Sequence, residues 1–361
     1  MSDEKSLDEL RQQIDAVDDK ILELISERAR CAARVAKVKR SADETVSFYR
    51  PEREAQVLQR IKAANPGPLD DEEMARLFRE IMSACLALEE RQTVAYFGPE
   101  GTFTHAAALK HFGHSIHAKP LGAINEVFRE VESRVCDYGV VPIENSTEGV
   151  VNHTLDSFLH SPLKICGEVE MRIHQHLLSN ESESGKIQRI YSHPQSLAQC
   201  REWLDAHMPG VERIHASSNA DAARRAASEP GSAAIAGEVA VEHYGLQIIQ
   251  RNIEDNPENV TRFLVIGRHP VAPSGDDKTS LLISAHNRPG SLHALLSPLA
   301  KNNVSLTRIE SRPSRGINWE YVFFLDVEGH QEEERIRKAL AELEQTAQMV
   351  RVLGSYPRAV L

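Results

Sequence analysis

Several features are scarce or missing in this sequence of 361 residues. Its five cysteines, an odd number without a Cys-x-x-Cys spacing, argue against both a disulfide framework and a zinc site. No stretch approaches the roughly 18 apolar residues that cross a bilayer, and the opening MSDEKSLDEL carries acids where a secretory leader would be basic and then apolar. We therefore expect a cytoplasmic protein without a membrane partner. The net charge of −11 disfavours a nucleic-acid partner.

The composition is that of a soluble globular protein, with 41% hydrophobic and 26% charged residues. A chain of 361 residues is too long for one core of ordinary size. Changes in hydrophobic pattern and composition along the chain favour three units, at residues 1–92, 93–270 and 278–361. The sequence contains no internal repeats or low-complexity tracts.

Residues 7–40 show the clearest hydrophobic periodicity, in alternating steps of three and four. The residues in this pattern are Leu7, Leu10, Ile14, Val17, Ile21, Leu24, Cys31, Val35 and Val38. The pattern predicts a helix about 50 Å long with a coiled-coil-like seam. Because so long a helix cannot fold back on its short neighbours alone, we expect it to pair with a second subunit in a homodimer or a larger homo-oligomer.

Two further helices should complete an all-helical unit. Pro51 favours the first position of one helix, and Asp70 favours the N-cap of the other. The second helix should present one apolar face, formed by Met74, Leu77, Phe78, Ile81, Cys85 and Leu88.

Arg28 breaks the apolar seam, because it falls on the heptad phase of Ile14. A buried guanidinium needs an anionic partner. Lys39, almost three turns later, points along nearly the same face, whereas Arg11 sits about a quarter-turn away. Two cations on one face and a third supplied from elsewhere suit a pocket at a subunit interface that clamps a dicarboxylate. The alternative, that the basic run 28–40 merely complements the helix dipole, does not explain an arginine at a seam position.

The segments LDELRQQID, LISERARCAARVAKVK and RPEREAQVL resemble the all-helical chorismate mutases across residues 1–92. The resemblance implies that substrate carboxylates, ether oxygen and ring hydroxyl are contacted by Arg11 of the partner subunit, Arg28, Lys39, Arg53 and Glu54. A Claisen rearrangement needs no nucleophile or cofactor, because the site has only to hold a compact conformer and stabilise charge on the ether oxygen.

Two positions of this unit depart from the pattern of the chorismate mutases. Arg50 stands where some relatives carry an acid, and Glu89, one turn after Cys85, stands where some carry the glutamine opposite Lys39. A glutamate donates a hydrogen bond only when it is protonated, so we expect mutase activity to fall as Glu89 ionises. The alternative is that Glu89 is a surface residue of a Glu-Glu pair.

Residues 93–270 alternate short β-rich runs with helical stretches, which predicts an α/β unit. Hydroxyl- and amide-rich segments end several of these strands: GPEGTFTHAA, VVPIENSTEGVV, YSHPQSLAQC and NVTRFLVIG. Open α/β sheets bind ligands in the crevice at such ends. Any one of these segments, taken alone, is explained by turns and helix caps.

Together these four segments resemble the prephenate dehydratases over residues 93–267, most distinctively in NVTRF and PIENS. The implied fold has two α/β lobes, like a type 2 periplasmic-binding protein, closing over one cleft. The resemblance implies that dehydratase activity depends on Thr261. Because a threonine hydroxyl is a weak acid, we interpret Thr261 as a hydrogen-bond donor or relay to the departing oxygen, with Glu144 as the ultimate source of the proton. The resemblance also lines the cleft with Asn145, Ser146, Thr147, Ser192 and Gln199, with Arg262 and the GTFT turn close by.

Histidines at 111, 114 and 117, and at 174 and 176, have spacings that a metal site could use. Neither reaction needs a metal, no cysteine or carboxylate completes a set, and a chain with 16 histidines produces short spacings by chance. We therefore expect no metal and no cofactor.

After a linker at 269–277, the order of elements is βαββαβ, the ferredoxin-like arrangement of an α+β unit. With NRPGSL at a helix N-terminus and ESRP on a strand, residues 278–357 resemble the ACT regulatory domains of phenylalanine-inhibited dehydratases. The resemblance implies a phenylalanine site between two such domains. Its residues would be Asn287, Gly290, Ser291, Leu292, Glu310, Ser311, Arg312 and Pro313.

The three units in this order resemble the bifunctional chorismate mutase/prephenate dehydratases, which make phenylpyruvate from chorismate. Two alternatives stay open at this point. One is a phenylalanine-responsive binding protein with vestigial pockets and a helical segment that serves only to dimerise, and the other is a dehydratase that prefers arogenate.

Overall fold

A computed structural model of the protein describes residues 6–42, 49–181, 183–285, 288–313 and 321–360. The N-terminal unit consists of the helices α1 (Leu7–Ala42), α2 (Pro51–Ala64) and α3 (Asp71–Glu89). Pro51 opens α2, and the Asp70 carboxylate caps α3 by accepting a 2.7 Å hydrogen bond from the Glu73 amide. The predicted long helix and both predicted helix starts are confirmed.

The predicted seam of α1 is solvent-exposed in the single chain, with Ile14 60% and Leu24 63% exposed. The face of α3 differs from the prediction, because its buried residues include Ala75, Arg79 and Met82, whereas Leu88 is 65% exposed. The reason is that α3 packs against α1 and α2 and also against the following unit, so its buried face is set by both.

The middle unit begins with one lobe of alternating strands and helices. In chain order these are β1 (Thr93–Phe97), α4 (Phe103–Phe112), β2 (His117–Leu121), α5 (Ile124–Glu132), β3 (Tyr138–Asn145), β4 (Gly149–Val150), α6 (Asn152–His160) and β5 (Lys164–Arg172).

The second lobe follows directly. Its elements are β6 (His176–Ser179), β7 (Arg189–Ser192), α7 (Pro194–Gln199), α8 (Arg201–His207), β8 (Glu212–His215), α9 (Asn219–Ser228), β9 (Ser232–Ala236), α10 (Val239–Tyr244) and β10 (Gln247–Gln250). The chain then returns to the first lobe as β11 (Val260–Gly267).

Each lobe is built on its own mixed sheet. The first has the strand order β2-β1-β3-β11-β5, and the second has the order β10-β6-β9-β7-β8. The chain crosses between the lobes at residues 173–175 and 251–259, where the Ile173 amide donates to the Asn259 carbonyl and the Ile253 amide to the Gln175 carbonyl, each at 2.8 Å. This double crossing is the two-lobed arrangement predicted for a cleft enzyme.

The C-terminal unit consists of β12 (Asp277–Ala285), α11 (Ser291–Lys301), β13 (Leu306–Pro313), β14 (Tyr321–Glu328), α12 (Glu334–Thr346) and β15 (Met349–Pro357). Its antiparallel sheet has the order β13-β14-β12-β15, which confirms the predicted βαββαβ fold.

The C-terminal sheet and the sheet of the first lobe share one hydrophobic core. This core includes Ile143 and Leu264 from the middle unit and Phe324 and Leu353 from the C-terminal unit. At Gly354 the strand β15 comes so close to β5 that an added Cβ would lie 2.2 Å from a backbone oxygen. Only glycine permits this approach, so the two sheets are packed backbone to backbone at this point.

Candidate active sites

The helical unit brings together a carboxylate and two arginines from different helices. The Glu54 carboxylate on α2 forms a close ion pair with the Arg79 guanidinium of α3, and both side chains are largely buried, with 15% and 8% exposed. Arg28 of α1 acts electrostatically on the same carboxylate. Burial raises the pKa of Glu54, and the charges of Arg79 and Arg28 oppose that rise.

Arg28 is half-buried, and its charge interacts with the Glu54 carboxylate. Arg11 lies on the same helix but about 25 Å away at about 1.5 Å per residue. In this chain Arg11 is exposed and pairs with Asp8 at 3.5 Å. Arg11 therefore cannot reach Arg28 and Glu54 of its own chain. An arginine at this position could contribute to such a site only in a second subunit.

The remaining mutase candidates lie on the flanking helices. Arg53 is exposed on α2, Lys39 and Glu89 are half-buried near the ends of α1 and α3, and Cys85 is buried on α3. Arg50 precedes α2 and forms an ion pair with Glu52. This pairing gives Arg50 a local partner in the same segment.

In the first lobe of the middle unit, neighbouring strands present a cluster of amides and hydroxyls. Thr261 and Asn145 are paired in register, and the Asn145 amide nitrogen donates to the Thr261 hydroxyl oxygen and to the Asn259 side-chain oxygen, both at 2.7 Å. Ser146 and Thr147 extend the cluster, with hydroxyls 3.5 and 3.4 Å from the Asn259 oxygen. Asn259 therefore joins three of the predicted residues, and the fourth, Thr261, is joined to them through Asn145.

Ser192 and Gln199 lie in a second polar network, in the other lobe. The Ser192 hydroxyl lies 3.0 Å from the Asn219 side-chain oxygen, and the Asn219 amide nitrogen donates to Ser196 at 2.8 Å. Gln175, in the crossing segment, donates to Ser196 at 3.1 Å and to Gln199 at 3.3 Å. One continuous network thus links the second lobe to the segment that joins the lobes.

Sequence reasoning missed Asn259, Asn219 and Gln175. Asn259 is the first residue of the NVTRF segment, but the prediction named only Thr261 and Arg262 from that segment. The others have no comparable signal, because they enter the network only through the packing of distant elements.

The GTFT turn lies where the two lobes meet. The Thr102 hydroxyl caps α4 by accepting from the His105 amide at 3.3 Å. Just before it, the Glu100 carbonyl accepts a 3.0 Å hydrogen bond from the Tyr244 hydroxyl of the second lobe. This segment therefore contacts both lobes.

Glu144 and Arg262 are placed differently from the expectation that they serve the cleft. The Arg262 guanidinium bonds Asp326 of the C-terminal unit at 2.5 Å, and the Glu144 carboxylate bonds Arg308 of that unit at 2.5 Å. Successive residues of a strand point to opposite faces, so next to Thr261 the side chain of Arg262 faces the C-terminal sheet. Burial alone would lower the pKa of Arg262, but the nearby carboxylates, Asp326 above all, have the larger effect and raise this pKa overall.

The C-terminal unit contains a cavity of about 230 Å³ at the start of α11. Gly290 lies at the N-cap with a left-handed backbone, at φ 83°, and Ser291 and Leu292 begin the helix. The other lining residues include the aromatic rings of Tyr321 and Phe323. Amides at a helix N-terminus beside aromatic rings suit a ligand with a carboxylate and an apolar side chain. Asn287 lies outside the described residues.

The ESRP residues are not among those that line this cavity, although their strand pairs with the strand that carries Tyr321 and Phe323. Pro313 pairs in register with Tyr321. Arg312 instead pairs with Asp156 of α6 at 2.7 Å, so its guanidinium is engaged outside the cavity. Glu310 is half-buried and Ser311 is exposed.

Three of the five histidines with metal-like spacing have side-chain partners in the protein. His111 bonds the Tyr49 hydroxyl at 2.9 Å, His114 pairs with Glu80 at 2.9 Å and His174 with Glu254 at 2.8 Å. Among the residues that the structure describes, no three His, Cys, Asp or Glu side chains are grouped to hold a metal ion. Over the same residues, no helix has the length and apolar character needed to cross a bilayer.

A helical unit with arginines around a buried carboxylate, a two-lobed unit with a polar network in each lobe and a ferredoxin-like unit with a cavity at a helix N-terminus are features of an enzyme with separate small-molecule sites. Comparison with known families agrees. Residues 10–90 match the chorismate mutase type II model, residues 94–271 the prephenate dehydratase model and residues 279–345 the ACT domain model.

Whole-length relatives carry the same order of units. Bifunctional chorismate mutase/prephenate dehydratases from Stutzerimonas stutzeri and Pseudomonas aeruginosa are 60% and 59% identical, each over 100% of both chains. A solved prephenate dehydratase from Arthrobacter aurescens in complex with L-Phe is 35% identical, with a TM-score of 0.69 over 74% of this chain and 90% of that one. This chain belongs to the bifunctional chorismate mutase/prephenate dehydratase family.

Proposed function

We propose that this chain converts chorismate to prephenate in the helical unit and prephenate to phenylpyruvate in the two-lobed unit. Phenylalanine bound by the C-terminal unit lowers the second activity. The observation that carries the dehydratase assignment is the hydrogen bond between Asn145 and Thr261.

The mutase step needs only positioned charge. Arg28, Arg53 and Arg11 of a second subunit clamp the two carboxylates, which holds the substrate in the compact conformer. Lys39 and protonated Glu89 donate to the ether oxygen, where negative charge grows as the bond breaks. Support for the second subunit comes from the exposed apolar seam of α1 and from the distance between Arg11 and Arg28.

The dehydratase step removes carbon dioxide and the ring hydroxyl, and the electrons of the breaking C–C bond complete the aromatic ring. The Thr261 oxygen accepts from Asn145, so the single hydroxyl hydrogen of Thr261 is directed to another acceptor. In the proposed step that acceptor is the departing oxygen, which leaves as water after gaining a proton from solvent. Glu144 does not supply this proton in the proposed step. Arg308 binds its carboxylate on the face of the sheet opposite to the Thr261 side chain.

Phenylalanine fits the cavity beside α11, with its carboxylate at the helix amides and its ring against Tyr321 and Phe323. The Arthrobacter aurescens relative was solved with L-Phe, which supports this ligand. The buried thiols of Cys85, Cys136, Cys166 and Cys200 suit a reducing compartment, so we assign the protein to the cytoplasm.

The test is a coupled assay on the purified full chain. Chorismate should yield phenylpyruvate, prephenate alone should yield it too, and phenylalanine should reduce the rate from either start. Arogenate offered in parallel should turn over more slowly than prephenate. Failure to convert chorismate while prephenate is consumed would refute the mutase half, and turnover of neither would refute the whole assignment.

A further inference from the structure

Arg79 is a charged residue on the buried face of α3 and has no role in the mutase step described above. Its side chain is 8% exposed and forms the close ion pair with Glu54. Its Nε atom is buried and has no hydrogen-bond partner within the described residues. A buried guanidinium is costly unless a partner compensates its charge, so Glu54 is the group that explains Arg79.

The surroundings of Glu54 explain why its charge state depends on Arg79. Burial raises the pKa of this carboxyl, and the opposing charges are Arg79 from α3 and Arg28 from α1. Tyr49, just before α2, also faces Glu54, and burial raises the pKa of its hydroxyl well above the usual value. His111 of α4 faces Arg79, and burial, reinforced by Arg79, lowers its pKa well below the usual value. Tyr49 and His111 are therefore both neutral near pH 7, and the two arginines decide whether Glu54 is ionised.

Arg79 is held in place by the following unit. It lines a cavity of about 30 Å³ whose wall is formed by Tyr49, His111 and Gly167 and by the C-terminal segment at Ala359. Apart from Tyr49, these residues come from outside the helical unit, and together they keep bulk water from the ion pair. An ion pair shielded from water interacts more strongly than one on the surface.

We propose that Arg79 is a positioning residue for the mutase reaction, which holds the Glu54 carboxylate ionised and oriented so that it accepts a hydrogen bond from the substrate's ring hydroxyl. The inference rests on the proposed mutase function and extends it. Residues of the dehydratase unit that surround Arg79 therefore also help to hold the mutase site in place.

The experiment compares mutase pH profiles of the full chain, measured as kcat/KM with chorismate, for wild type, Arg79→Met, Arg79→Gln and Arg79→Lys. Loss of the positive charge should move the acid limb of the profile upward by about one to three pH units. Near neutral pH this shift should lower kcat/KM by about ten- to hundredfold. Arg79→Lys, which retains the charge, should keep the limb close to its wild-type position.

The matched control is Arg76→Met, on the same helix one turn earlier, where the arginine forms an exposed pair with Glu73. It should leave the mutase profile unchanged. Prephenate turnover by each preparation reports whether the chain is folded, and Arg79→Gln, which can still donate to Glu54, provides the test if Arg79→Met misfolds.

A double substitution separates the proposal from a purely structural role. In a Glu54→Gln background the titrating group is gone, so adding Arg79→Gln should move no acid limb. The inference would be overturned if the acid limb of the mutase pH profile stayed in place in both Arg79→Met and Arg79→Gln. It would also be overturned if Arg79→Gln still moved the acid limb in the Glu54→Gln background. Absence of mutase activity in wild type is a different result and refutes the proposed function itself.

Discussion

Replacement of Thr261 by valine should stop the dehydratase while leaving the chain folded. Valine has nearly the shape of threonine, and the position is 9% exposed, so the change removes a hydroxyl without opening a cavity. The Asn145 amide that loses this acceptor still has the Asn259 oxygen at 2.7 Å. One N–H of this amide loses its acceptor, but Asn145 is only half-buried, so the expected loss of stability is about 1 kcal/mol.

The catalytic loss should be much larger. Removing one donor from a charge that develops in the transition state lowers kcat by about 100- to 1,000-fold, or about 3–4 kcal/mol. In Thr261→Val we therefore expect a fall of this size in kcat for prephenate with a melting temperature lowered by about 2–4 °C. The mutase rate of the same preparation should not change.

Thr154→Val is the matched control. The Thr154 hydroxyl is fully buried in the same lobe and donates to the Pro142 carbonyl at 2.6 Å. Its loss leaves that carbonyl without this donor, so the control should lose at least as much stability as Thr261→Val and keep its kcat. Equal loss of both activities in Thr261→Val, or retention of kcat within about threefold, would refute the reasoning. Thr261→Ser should restore turnover.

Three further outcomes follow from other parts of the molecule. Glu89→Gln should flatten the decline of the mutase rate toward high pH, and an unchanged profile would contradict the donor role of Glu89. Ile21→Glu, on the exposed seam of α1, should yield monomers by sedimentation that lack mutase but retain dehydratase activity; dimers that retain both would count against the shared site. Burial raises the pKa of Asp326, but Arg262 and a serine hydroxyl outweigh it and lower the pKa below 3.8. The resulting stabilisation is present above pH 3.8 and is lost as the pH falls through the lower folded value. Asp326→Asn should therefore unfold about 3 kcal/mol more easily in denaturant at neutral pH, with the difference from wild type shrinking below pH 3.8. A constant difference would argue against this pair.

The sequence predicted well the features that depend on local hydrophobic periodicity and on the order of helices and strands. The seam of α1 repeats over many turns, and the last unit alternates strands and helices of ordinary length, so neither depended on distant contacts. The polar segments at strand ends predicted the cluster around Thr261 because such ends meet in one crevice.

The failures come from relations between elements. Arg262 directly follows Thr261 in the sequence motif, so both were predicted to lie at one site. Adjacent residues of a strand point to opposite faces of the sheet, and the two side chains are therefore separated. Arg79 lies four residues after Ala75 and three before Met82, the same kind of violation that drew attention to Arg28. It was overlooked because the predicted face of α3 was drawn through Leu88, which is exposed.

The hydrophobic core shared between the second and third units also limits how this enzyme can be re-engineered. Truncation before Asp277 is an obvious way to release the dehydratase from feedback, but it would strip the cover from Ile143 and Leu264 and remove the partners of Arg262 and Glu144. The shortened chain would carry an exposed apolar patch on the reverse side of its own catalytic strands. A deregulated producer is therefore better sought among single replacements around the α11 cavity than among shortened genes.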